Sequence, residues 1–115
     1  MYMIEAIIKP HAIDPIKAKL AGLGILGMTA LECKGFGRQK GHTERYRGAR
    51  TDVGFVPKVT LKVAVKAEDL EKAVEAFATA ARSGTNGEVG DGKIFVYQLT
   101  AVKRIRTGEK DNDAL

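Results

Sequence analysis

Tryptophan is absent from this 115-residue chain, cysteine occurs once, proline three times, and aromatic residues make up only 6%. With Cys33 alone, an internal disulfide and a cysteine-cluster metal site are both excluded, and the thiol reads as a small buried hydrophobe. So few aromatics leave little platform for stacking single-stranded nucleic acid. No apolar run approaches the roughly 20 residues that a membrane span needs, and Met1 to Glu5 lacks the basic-then-apolar build of a signal peptide, so a cytoplasmic location is the expectation. Cationic residues are in moderate excess, 19 Lys and Arg against 14 Asp and Glu, for a formal charge of +5. The excess gathers between Lys34 and Lys58 and between Lys93 and Lys110. No segment reads as a helix with a basic face suited to a groove. Small anions or phosphates therefore fit this charge better than a nucleic acid, which is not an expected partner.

Hydrophobic periodicity orders the rest. Tyr2, Ile4, Ala6 and Ile8 alternate with Met3, Glu5 and Ile7 as a strand does, and Pro10 ends the ladder. Asp14 followed by Pro15 reads as an N-cap and first helical position, Ile16, Leu20 and Leu23 recur at helical spacing, and Gly24 stops the run. Residues 27–36 read as a second strand. A third carries Val59, Leu61, Val63 and Val65 on one face, with Pro57 at its start. Between Glu68 and Arg82 the stripe Leu70, Ala73, Val74, Phe77 and Ala81 predicts a second helix, and 93–102 a final strand. The order β-α-β-β-α-β predicts one α+β domain over 1–115, with four antiparallel strands against two helices. Apolar residues on the other strand face, such as Met3, Ile7 and Leu31, predict that copies of the chain associate.

Two stretches cannot build core. Residues 34–49 place Gly35, Gly37, Gly41 and Gly48 among Arg38, Lys40, Arg45 and Arg47, which reads as a long loop rooted in an anion site; a solvated basic hairpin is the plainer alternative. Residues 83–93 hold four glycines ahead of Lys93, allowing backbone amides to face an anion, although the spacing is not that of a P-loop. Arg104 and Arg106, two apart in a stretch read as extended, would point the same way and grip one phosphate together. A nucleoside polyphosphate suits three such segments. No general base or nucleophile is placed for catalysis, since His11 lies by a helix start and His42 in the loop.

In the segments Ile7-Ile8-Lys9-Pro10, Lys34 through Glu44, Tyr46 through Ala49, Gly90 through Phe95 and Arg104 through Glu109, the chain resembles the PII family of nitrogen-regulatory signal-transduction proteins from end to end. The resemblance implies a ferredoxin-like homotrimer that is a sensor and not an enzyme, with at most slow ATP hydrolysis. It implies ATP or ADP in clefts between subunits, with 2-oxoglutarate bound beside ATP through Mg²⁺. A mobile T-loop of about 37–56 would report the ligand state, beside a phosphate-binding loop of about 83–93 and a C-terminal loop of about 103–115. Nucleotide contacts carry over onto Ile7, Thr29, Gly35, Gly37, Arg38, Gln39, Ala64, Gly90, Asp91, Gly92, Lys93, Arg104 and Arg106. Those to 2-oxoglutarate fall on Gln39, Lys40, Gly41 and Lys58, with Gln39 also the Mg²⁺ ligand. Arg45, Arg47, Arg50 and Thr51 would meet a partner, either an ammonium channel or another transporter, which would bring the protein to a membrane, or an enzyme.

The departures carry information too. Thr51 stands where many members have the uridylylated tyrosine, and Ala49 where some have a phosphorylated serine, so neither modification is expected. Arg50 and Gly54 replace acidic residues; Lys62 replaces an acidic residue near the ribose, Glu88 replaces a lysine, and Thr85-Asn86-Gly87 is an insertion. A second reading follows, in which the loop is retargeted and the protein senses the adenylate ratio or another small anion outside nitrogen control.

Overall fold

A computed structural model of the chain describes residues 1–37 and 54–115 in full and, between them, the backbone of residues 43–46 and 49–52. Strand β1 spans Tyr2–Ile8, helix α1 Ile13–Gly22, β2 Thr29–Gly35, β3 Thr43–Tyr46, β4 Ala49–Asp52, β5 Val56–Val65, helix α2 Leu70–Ala81 and β6 Gly92–Gln98. Four of the strands form an antiparallel sheet in the order β2-β5-β1-β6, the α+β arrangement that the periodicity predicts and the ferredoxin-like one that the family resemblance implies. The basic stretch contains β3 and β4, paired as a separate two-stranded ribbon with Arg45 opposite Arg50. Four residues on each arm of the stretch read as a long loop are thus paired with one another.

One sheet face meets both helices. Ile4, Ala6 and Ile8 of β1 and Val59, Leu61, Val63 and Val65 of β5 are buried against Ile16 and Leu20 of α1 and Ala73 and Phe77 of α2. These are the alternating positions of the two central strands and the inner stripes of the helices, so period 2 meets period 3.6 in one core. The other face carries Met3, Ile7, Leu31, Phe95 and Tyr97, of which Leu31, Phe95 and Tyr97 are exposed in the single chain.

Local chemistry moves several boundaries. Pro10–Ala12 forms a 3-10 turn and α1 begins at Ile13, so Asp14 lies in the first helical turn and makes no capping hydrogen bond; its negative charge still complements the helix dipole. The helix closes with Ile25 N–H donating to Leu20 O at 2.9 Å and Gly24 N–H to Ala21 O at 3.0 Å, a double bond pattern that needs the left-handed φ of 80° at Gly24. A second 3-10 turn, Ala67–Asp69, precedes α2. Pro57 sits inside β5 and not at its start, opposite Lys34. Pairing of β5 with β1 begins only at Val59, so no donor is missing there from the second ladder. The last strand stops at Gln98, short of 102.

Phe77 is fully buried at the centre of the helix–sheet contact. Phe77→Ala should lower unfolding free energy by about 3–5 kcal/mol, by lost transfer energy plus a residual cavity. A urea titration that moved by under about 1 kcal/mol would show that the two layers do not meet at this ring.

Candidate functional site

Four strand ends meet at one edge of the sheet. There the last residue of β2, the first residues of β5, the end of β1 and the start of β6 enclose a cleft of about 560 Å³ lined by Gly35, Gly37, Lys58, Gly90, Gly92 and Lys93 among others. Lys58 is only 8% exposed, and its Nζ donates to the carbonyl of Gly90. Burial pushes the Lys58 ammonium below the usual lysine range, and the nearby charge of Lys9 adds to that. A desolvated ammonium whose one partner among the described residues is a carbonyl is well suited to a carboxylate or phosphate oxygen.

The turn into β6 is fixed by sterics. Gly92 takes φ 114°, and a Cβ there would lie 1.8 Å from Ile7 O and 3.2 Å from Ile8 Cα. Only glycine lets the backbone of the 83–92 loop lie against β1 at this point. Asp91 then ties the loop to itself. Its Oδ2 accepts from the amides of Ser83 and Glu88, each at 2.9 Å. Its Oδ1 faces Lys9 Nζ at 3.2 Å and has no hydrogen-bond partner among the described residues. Lys9 also lies 3.2 Å from Glu88 Oε2 and 3.4 Å from Ser83 Oγ. Burial works to raise the Asp91 pKa, but the Ser83 and Glu88 donors and Lys9 outweigh it and hold the carboxyl well below the usual range. Burial likewise works to lower the pKa of Lys9, and the two carboxylates overcome it, leaving a raised value.

Of the residues expected at the site, Ile7, Gly35, Gly37, Lys58, Gly90, Asp91, Gly92 and Lys93 do converge on this cleft. Asp91 lines it, but its carboxylate makes its contacts within the loop and to Lys9. Thr29 and Ala64 lie elsewhere on the open sheet face, Thr29 opposite Lys62 and Ala64 opposite Met3. The stretch holding Arg104 and Arg106 is not extended: residues 105–107 form a turn, closed by Gly108 N–H donating to Arg104 O at 2.8 Å, so the expected side-by-side grip does not form there. Arg38, Gln39, Lys40, Gly41 and Arg47 lie outside the described residues, as do the side chains of Arg45, Arg50 and Thr51, whose backbone belongs to the β3–β4 ribbon.

Lys9 has a place here that its sequence context does not disclose. Ile8 pairs with Gly92, so Lys9 falls beside Asp91, a neighbour visible only once the β1–β6 register is known. Of the charge reversals noted in the sequence, the two among residues described in full are answered within the chain: Glu88 by Lys9, and Lys62 by Glu5 at 3.5 Å, which also accepts from Tyr97 Oη at 3.1 Å.

Asp91 contributes stability that is present above the pKa of an unfolded aspartate, near 3.9, and is lost as pH falls toward its lower folded value. Asp91→Asn should therefore cost about 2 kcal/mol at pH 7 and flatten the stability profile below about pH 4. Lys9→Met should also destabilise at pH 7, and should remove a contribution that the parent loses only at alkaline pH, above about 10. Unfolding curves from pH 2 to 11 check both; an unchanged acid limb in Asp91→Asn would refute the role of this carboxylate.

Comparison with known proteins bears on what such a cleft serves. The sequence model of the family described as Nitrogen regulatory protein P-II matches residues 1–109. Over all 115 residues, and over the whole of each relative, the chain is 53% identical to the nitrogen regulatory protein P-II of Azospirillum brasilense, 50% to that of Rhizobium etli, and 50% to the nitrogen regulatory protein P-II 1 of Escherichia coli K12. With the fold, the cleft and full-length similarity in agreement, the chain belongs to the P-II family of nitrogen regulatory proteins.

Proposed function

We propose that the protein is a nitrogen-regulation signal transducer whose cleft binds ATP or ADP, takes up 2-oxoglutarate in the company of ATP, and passes the ligand state to a partner protein through residues 37–56. The observation that carries this reading is the convergence of Lys58, Lys93 and the glycine-rich turn Gly90–Gly92 from separate strands onto one cleft. Ammonium groups and backbone amides held by a rigid sheet suit a polyanion, because they need little reorganisation to meet it. Lys58 is the group for a 2-oxoglutarate carboxylate. The described residues contain no cluster of His, Cys, Asp or Glu able to hold a metal. Mg²⁺ fits such a site because it is commonly held by few protein groups and completes its shell with ligand oxygens and water; Gln39 is the protein group proposed for it.

Thr29, Ala64, Arg104 and Arg106 of the proposed nucleotide set are not among the residues lining this cleft in their own copy. Lys58 and Ala64 stand six residues apart on one extended strand, about 20 Å at ~3.3 Å per residue. Thr29, Ala64, Arg104 and Arg106 are proposed to reach the cleft of a neighbouring copy, in a homotrimer that covers the exposed Leu31, Phe95 and Tyr97. The partner proposed for the loop is a transporter such as an ammonium channel, or an enzyme, and the basic residues Arg45, Arg47 and Arg50 favour an acidic contact surface.

Calorimetric titration tests the reading. ATP and ADP should each bind, and 2-oxoglutarate should bind only when ATP and Mg²⁺ are present. Lys58→Met should weaken 2-oxoglutarate at least ~10-fold, the scale of one lost charge-assisted hydrogen bond, while ATP still binds. Failure of both nucleotides to bind would sink the proposal, and 2-oxoglutarate binding that ignores ATP would remove its central coupling.

A further inference from the structure

Arg104, one of the arginines proposed above to meet phosphate, already has an anion. Its Nη1 is paired with Glu109 Oε1, its Nη2 lies 3.4 Å from Ala114 O, and its backbone N–H donates to Glu109 O at 2.9 Å. The same Glu109 Oε1 accepts from Thr107 Oγ1 at 2.8 Å, and Asp111 Oδ1 accepts from Val102 N–H at 3.2 Å where the segment folds back. The turn between them exposes Ile105 almost completely, at 99%, and the guanidinium and the carboxylate are both well exposed to solvent. A carboxylate oxygen with two donors is chemically the same guest as a phosphate oxygen with two donors.

We propose that Glu109 is an internal competitor for phosphate, a specificity-determining residue that sets the affinity threshold for nucleotides and the discrimination between them by phosphate number. The inference rests on the nucleotide-binding reading of the cleft. For Arg104 to turn to a phosphate it must release Glu109, and Glu109 can be released because it is exposed to water and keeps Thr107 as a donor. No buried charge is stranded by the exchange, so the barrier it sets is modest, on the scale of an exposed ion pair. Its carboxylate also opposes an incoming anion in proportion to that anion's charge, which penalises ATP more than ADP and does not penalise adenosine.

The test compares the full chain with Glu109→Gln and Thr107→Val by calorimetry against ATP, ADP and adenosine, with thermal melts to verify folding. Glu109→Gln should tighten ATP about 3- to 10-fold, ADP by less, and adenosine not at all. Thr107→Val should shift ATP the other way, because the released carboxylate loses its remaining donor. In an Arg104→Gln background most of the gain from Glu109→Gln should vanish. Unchanged or weaker ATP binding in Glu109→Gln, or an equal gain for adenosine, would overturn the inference while leaving the cleft reading intact. A wild-type chain that bound no nucleotide would overturn the cleft reading first, and this inference with it.

Discussion

The carboxylate of Asp91 ties together three pieces of chain that the β1–β6 ladder brings side by side. Its Oδ2 gathers the amides of Ser83 and Glu88, which brings the two ends of the glycine-rich loop within one hydrogen-bonded turn, while Oδ1 faces Lys9 at the end of β1. With the loop tied in this way, Gly90 O is in place for Lys58 and Gly92 can lie against Ile7. The shape of the cleft thus depends on a half-buried carboxylate that lines it while spending its hydrogen bonds on the loop and facing Lys9. Two amide donors and an ammonium together exceed the desolvation penalty, which is why the acid is stronger than usual despite its burial.

What could be read from the sequence was whatever depends on period. Alternation along β1 and β5 and the inner stripe of α2 identify the two layers, because a residue's face in a strand or helix follows from its position alone. That Gly35, Gly37, Lys58, Gly90, Gly92 and Lys93 share one cleft was legible only through the family resemblance, since glycines beside cations more often mark plain surface turns. Contacts across the fold were not readable. Lys9 meets Asp91 only through the β1–β6 register, and the Arg104–Glu109 pair depends on a turn at 105–107 in a stretch whose spacing suggested an extended chain. Asp14 looked like a cap because Asp before Pro fits the first helical positions, but the 3-10 turn at Pro10–Ala12 had already begun the helical path.

The charge swaps show how a site can change its residues and keep its balance. Glu88 adds a negative group to the cleft rim, and Lys9 stands 3.2 Å from it. Lys62 adds a positive group to the open face, and Glu5 stands 3.5 Å from it. Each substitution is therefore a local dipole more than a net charge as seen from a few ångströms away. Among the described residues, Lys58 and Lys93 line the cleft without a salt bridge to a carboxylate, so they and the glycine amides supply its positive field.

Gly35 and Val56 are register partners at the end of the β2–β5 ladder, so the long basic segment leaves and re-enters the sheet at adjacent points. The sheet bears the whole burden of closing that segment, and its length enters the energetics only as loop entropy, roughly 0.6 kcal/mol for each doubling. The tip can lengthen, shorten or change its chemistry with little effect on the core beneath it. A scaffold built this way can exchange one ribbon for another while the cleft at its base keeps its shape.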